Sequence, residues 1–302
     1  MAVQISTHPA ERSIDLLIAG TGEGLLSAVP AWLSLALAPF VALAAGIGLL
    51  VPGFYRDAPT WVSQARGQDL VTLLVGVPLL VVGLIGARRG SVRCLLLWLG
   101  AVGYMAYAYA TYAFATHFNS LFLVYVLNFG LAVYALLFAL IRLNVARLRT
   151  AFNPHTPTRL VAAALVVMGI LTAVLWLGQD VPALLAGGVP SDVTEAGLLT
   201  NPIHVLDLGL VLPAAVLTGV LLARRQPWGF VLGAYFLVKF TTLGLAIMSM
   251  GVFMVADGQP LSVPLLVVFA LWTVVSAVLA WCFLASVRAP GRPFGLLADV
   301  SR

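Results

Sequence analysis

The sequence predicts an all-α, polytopic membrane protein with eight transmembrane helices, and three observations carry that prediction. Hydrophobic residues make up 62% of the 302 positions, charged residues only 9%, and the mean hydropathy is +1.06. A soluble domain carries about 25% charged residues, so this chain cannot clothe a water-facing surface. The apolar residues also collect into runs close to the roughly 20 residues that a bilayer core demands of a helix. Finally, arginines cluster in the short segments between alternate runs, the pattern by which loop charge sets membrane orientation. A soluble enzyme, a disordered chain and a nucleic-acid binder are all excluded, and the net charge of +5 belongs to the loops.

The chain opens with residues 1–28, which lack the basic start of a cleavable signal and are interrupted by Glu11, Asp15 and Glu23. They read as a cytoplasmic segment, an amphipathic surface helix with Ile14, Leu17, Ile18 and Leu25 on one side. Gly20, Gly22 and Gly24 follow no strand and read as a connector, not a dinucleotide fingerprint. The eight spans are then 29–50, 70–87, 94–115, 121–141, 160–178, 203–223, 228–256 and 261–287. Segments after the second, fourth, sixth and eighth spans hold twelve arginines, against Arg56 and Arg66 alone in the opposite loops. The positive-inside rule therefore places both termini in the cytoplasm. A basic linker, 142–159, joins the first four spans (29–141) to the last four (160–287), and residues 288–302 form a cytoplasmic tail. Cys94 and Cys282 show no C-x-x-C spacing, so neither a redox dithiol nor a paired-cysteine metal site is expected.

The two halves read as copies. The second span carries Asp69, Pro78 and Ala87-Arg88-Arg89; the sixth carries Asp207, Pro213 and Ala223-Arg224-Arg225. The third and seventh share Leu-Gly-Ala at 99–101 and 232–234. Four spans per copy imply a parallel 4+4 repeat about an axis along the membrane normal.

Polar residues inside the spans are the functional candidates, because intramembrane ionisable groups are costly and rarely idle. Lys239 is the single lysine beside fifteen arginines, and it lies roughly 16 Å beyond the start of its span at 1.5 Å per residue. Lysine can give up its proton where guanidinium effectively cannot. Tyr235, Lys239, Thr242, Ala246 and Ser249 share one helical face. His204 and Asp207, one turn apart, offer a base with an orienting carboxylate or a partner for Lys239, with Asp69 at a comparable depth in the second span. Tyr104 and Asn128 lie too deep for an interfacial aromatic belt and suggest a polar cavity in the outer half of the bundle. Tyr107, Tyr109, Tyr112 and Tyr125 accompany them. No catalytic or metal motif is present, and the sequence names no cofactor.

These residues fit three functions. A small-solute carrier, proton coupling included, matches the repeat and the mid-membrane titratable group. A membrane-embedded enzyme acting on a lipid or quinone at the outer leaflet would use His204 and Asp207. A non-catalytic receptor or subunit would use Lys239 for pairing. The partners expected are the lipid bilayer, an unidentified small-molecule or lipid ligand and a second copy of the chain in a homo-oligomer, with no nucleic acid. Alanine, leucine and arginine richness points to a bacterial cytoplasmic membrane.

Overall fold

The computed structural model describes residues 25–288, so the amphipathic segment proposed before residue 25 and most of the C-terminal tail lie outside the described residues. Among the described residues, eight helices are long and apolar enough to cross a membrane. They are α1 (Ala28–Leu50), α2 (Pro59–Arg88), α3 (Val92–Ala115), α4 (Phe122–Arg142), α5 (Thr158–Leu185), α6 (Pro202–Ala223), α7 (Pro227–Ala256) and α8 (Val263–Ala285).

Local chemistry sets the starts. Proline opens α2, α6 and α7, where the missing N–H has no helical partner to lose. Asn201 accepts the amides of Ile203 and His204 at the head of α6, and Ser91 accepts Cys94 N–H at the head of α3. Hydropathy misplaces two boundaries substantially. α5 runs past residue 178 to Leu185, which takes Asp180 into the helix. α2 begins at Pro59 and not at residue 70, because its first three turns carry Ser63, Gln64, Arg66, Gln68 and Asp69. That polar stretch remains helical by pairing with the neighbouring α7: Ser63 donates to Asp257 at 2.7 Å, and Arg66 meets Asp257 at 3.5 Å.

Both α2 and α6 are interrupted by a π-helical turn, Thr72–Gly76 and Asp207–Val211. Each is followed by an X-Pro pair, Val77-Pro78 and Leu212-Pro213. A proline inside a helix lacks an N–H and its ring collides with the carbonyl four residues back. Those carbonyls, on Leu74 and Gly209, lie within the π turns. Widening the helix by one residue relieves the collision, and such turns recur at functional sites.

Helices α3 and α7 form the buried centre. They cross at Gly100 and Gly103, whose missing side chains make room for Val238 and the Tyr235 ring. Gly67 of α2 similarly packs on the Met250 backbone of α7. The first half closes on itself, since α1 packs along both α2 and α4. The second half stays open, because α8 leans on α7 and barely touches α5.

Both ends of the described chain meet the arginine-rich end of the bundle. Leu25 N–H bonds Ala87 O, while Arg93 donates to the carbonyls of Ala285 and Val287.

Candidate functional site

The polar residues in the spans divide into two clusters, one within the first half and one between the halves. The first surrounds Asp69, which is 1% exposed. Its carboxylate accepts the Tyr55 hydroxyl at 2.6 Å and the Tyr112 hydroxyl at 2.8 Å. Tyr55 lies in the loop between α1 and α2, and burial together with Asp69 pushes its hydroxyl far above the ordinary range, so it stays a donor. Tyr112 stacks on both Tyr55 and Tyr125, and Tyr109 leans against the same group. Tyr104 bonds Thr72 at 2.7 Å, in the π turn of α2. Asn128 is fully buried beside these rings, with neither amide atom hydrogen-bonded. The rings fill the interior of this half.

The second cluster surrounds a cavity of about 320 Å³ between the halves. It opens at the arginine-poor end, bounded there by Asp192, Glu195 and Ser262, and runs down to Asp207 on the π turn of α6. Trp61 and Trp176 supply aromatic walls, and Gln64 and Gln68 of the polar stretch of α2 line the space beside Trp61. A smaller cavity of about 50 Å³ continues past Asp207 into the gap between α5 and α8.

Asp207 is 7% exposed and accepts the Trp176 indole N–H at 2.9 Å. The Tyr107 hydroxyl is also directed at its carboxylate. Lys239 lies one layer below. Its ammonium sits 4.2 Å from the centre of the Tyr107 ring and 5.6 Å from that of Phe240. The Lys239 Nζ is buried without a hydrogen-bond partner. It attracts Asp207 through space, but the two form no direct ion pair. Tyr107 therefore couples them, presenting its ring face to the cation and its hydroxyl to the carboxylate.

His204 is not oriented by Asp207, as their one-turn spacing had suggested. Its Nδ1 meets Asp180 at 2.9 and 3.1 Å, its Nε2 stands 4.0 Å from Asp192, and its ring stacks under Trp176 at 4.4 Å. Asp180 at the end of α5 is 24 residues away in sequence and was invisible to spacing arguments. Nor do Tyr104 and Asn128 share a cavity with Lys239; they belong to the Asp69 cluster. Tyr235 packs its ring against Gly103 at the α3–α7 crossing and reaches neither carboxylate. Among the described residues no three His, Cys, Asp or Glu side chains are placed to hold a metal ion.

Sequence reasoning missed Trp176 and gave Tyr107 no special place. A tryptophan in an apolar run reads as bulk, and Tyr107 was one of four tyrosines on a helix buried on nearly every side. No protein family, curated protein or solved structure matches the chain.

Proposed function

We propose that this integral membrane helical bundle is a small-solute carrier whose binding site is the cavity ending on Asp207. One observation carries the reading: a space large enough for a small organic molecule descends from one end of the bundle to a buried carboxylate, with a buried, unpartnered lysine directly beneath it. A carrier needs a site near the middle of the membrane whose charge can change during the cycle. Asp207, Tyr107 and Lys239 supply such a group, with His204 holding Trp176 in place from behind.

The carrier reading includes a parallel repeat, in a new register. Aligning the two π turns and their prolines sets Thr72 opposite Asp207 and Asp69 opposite His204. The first half then acts as the closed, tyrosine-filled copy, with Asp69, Tyr104 and Asn128 in structural roles. The arginine-rich end faces the cytoplasm, so the cavity opens outward. The enzyme reading is weaker, because both nitrogens of His204 face carboxylates and its ring lies behind Trp176, leaving no base exposed to a substrate.

The test is access to the site from each side. Leu243 lines both cavities. In a Cys94→Ser, Cys282→Ser background, Leu243→Cys in oriented vesicles is treated with an impermeant thiol reagent from one face, then the other. A carrier is labelled from both faces. Labelling from the arginine-poor face alone overturns the carrier and leaves a receptor or an outward-facing enzyme.

A further inference from the structure

The charges on the cavity wall are one-sided. Asp192, Glu195 and Asp207 line it, and no lysine, arginine or histidine does. Asp192 keeps one carboxylate oxygen, Oδ1, buried without a partner, although Oδ2 accepts from Asn201 at 2.6 Å. The remaining wall is largely aromatic and apolar, with rings from Trp61, Trp176, Tyr107 and Phe269, and its other polar groups, Gln64 and Gln68 among them, are uncharged. Carboxylates among ring faces are the chemistry that recognises an organic cation, which combines charge with an apolar body. An anion would meet three acids, and an apolar neutral solute would leave Asp207 buried against hydrocarbon.

The cation that Asp207 already feels is Lys239, behind the cavity wall. Both charges, the lysine's and a ligand's, lean on the same carboxylate. Other titratable or charged groups on elements packed against α7 are engaged elsewhere: Asp69 with Tyr55 and Tyr112, Arg66 with Asp257, His204 with Asp180 of α5, Arg149 over the Phe230 ring, and Arg93 with carbonyls of the C-terminal end of α8. From α3, Tyr107 faces Lys239; from α6, Asp207 does. Helix α8 contributes no ionisable group but Cys282, three residues from its inner end.

We propose that the cavity binds a small aromatic or alkyl organic monocation against Asp207, and that its arrival expels the Lys239 proton, making the protein a cation–proton exchanger. The inference rests on the carrier reading above. The balance is simple: one monocation enters, one proton leaves Nζ for water, and the net charge of the buried group is unchanged. Arginine in place of Lys239 could not complete the exchange, because it holds its proton. By linkage, a proton released on cation binding means that the cation binds more tightly as pH rises.

The test uses three probes of one shape and different charge: benzyltrimethylammonium, its uncharged isostere neopentylbenzene, and benzylsulfonate. Binding to the full chain in detergent is read by tryptophan fluorescence and calorimetry, and proton release by running the calorimetry in buffers of different ionisation enthalpy. The quaternary ammonium has no proton of its own, so any proton released comes from the protein. The expected result is binding of benzyltrimethylammonium alone, with release of about one proton per cation. Asp207→Asn is expected to weaken it by about tenfold or more. Lys239→Met is expected to bind without proton release. Should that variant fail to fold, Lys239→Arg keeps the charge and is expected to bind more weakly, also without release. Binding of neopentylbenzene as tight as the cation's, preference for the sulfonate, or no binding of the cation overturns the cation site. Cation binding without proton release overturns the exchange. If binding and release occur as expected but Leu243→Cys is labelled from one face only, the cation site stands and the carrier reading falls.

Discussion

At Asp57, in the loop before α2, the cost of burying a carboxylate can be followed through a single side chain. Oδ1 accepts the His117 amide at 2.8 Å and stands 3.6 Å from the His117 ring, while Oδ2 is buried without a partner. Burial raises its pKa above the ordinary carboxylate value, and the His117 contacts only partly oppose this. The folded state therefore holds the Asp57 proton more tightly than the unfolded chain does. Its contribution to stability is complete below the unfolded pKa and is lost as pH rises through the folded one. Asp57→Asn removes that loss, so the variant should gain melting temperature relative to the unmodified protein on going from about pH 4 to 7. An unchanged difference between the two proteins across that range defeats the assignment. Asp69 behaves differently. Replacing it with alanine strands the Tyr55 hydroxyl, at about 1–3 kcal/mol, whereas Tyr112 retains the Ala65 carbonyl at 3.0 Å. Asp69→Ala should melt earlier yet bind benzyltrimethylammonium within about twofold of normal, since the carboxylate that meets the cation is Asp207. Lys239 could be singled out in the sequence because composition alone made it anomalous. Its coupling to Asp207 through Tyr107 could not, because hydropathy gives depth and says nothing of which helix a side chain faces.

The π turns show how a helix can bring a side chain to a place that periodicity does not predict. Extrapolating an α-helical face from His204 joined it to Asp207, and both do meet Trp176, but the π turn that begins at Asp207 adds a residue to the face that continues below it, and the imidazole Nδ1 turns to another helix. His204 then meets Asp180, and Asp207 meets Trp176. The prolines were visible in the sequence; the widening they cause was not, since a proline can equally kink a helix. Pro213→Ala removes the collision with the Gly209 carbonyl and lets α6 regain α-helical geometry, turning Asp207 by about one residue, roughly 100°. The variant should be at least as stable as the parent, given the helix penalty of proline of about 3 kcal/mol, and should bind the cation about tenfold more weakly. Full binding would mean that packing, not the proline, holds the turn. The start of α2 was illegible for another reason: a polar helical stretch was hidden from a hydropathy criterion, and its partners on α7 are distant in sequence. At Gly67 those two helices pack backbone to backbone, and a Cβ there would meet the Met250 backbone. Because backbone cannot yield as a side chain can, Gly67→Ala should cost about 1–3 kcal/mol, read as a lower melting temperature in detergent.

Across the whole molecule, the two halves use the same helix order to different ends. In the first, α1 closes the ring and five tyrosines fill its interior; in the second, α8 stands away from α5 and leaves space beside Asp207. Eight spans and the arginine bias were both legible, since each is a property of composition along the chain. The asymmetry was not, because it depends on how far one helix stands from another. Sidedness ties the cavity to a direction of exchange. If the arginine-rich end is inside, a cation reaches Asp207 from outside and a proton returns there. Leu199 lies fully exposed in the segment joining α5 to α6, at the end where the cavity opens, and Thr150 is exposed in the basic segment joining α4 to α5. In a background with Cys94 and Cys282 replaced by serine, Leu199→Cys should react with an impermeant maleimide on intact cells, and Thr150→Cys only after lysis. The reverse pattern would place the mouth of the cavity on the cytoplasmic side. Asp207 would then meet cations from within the cell, and exchange against an inward proton gradient would become export.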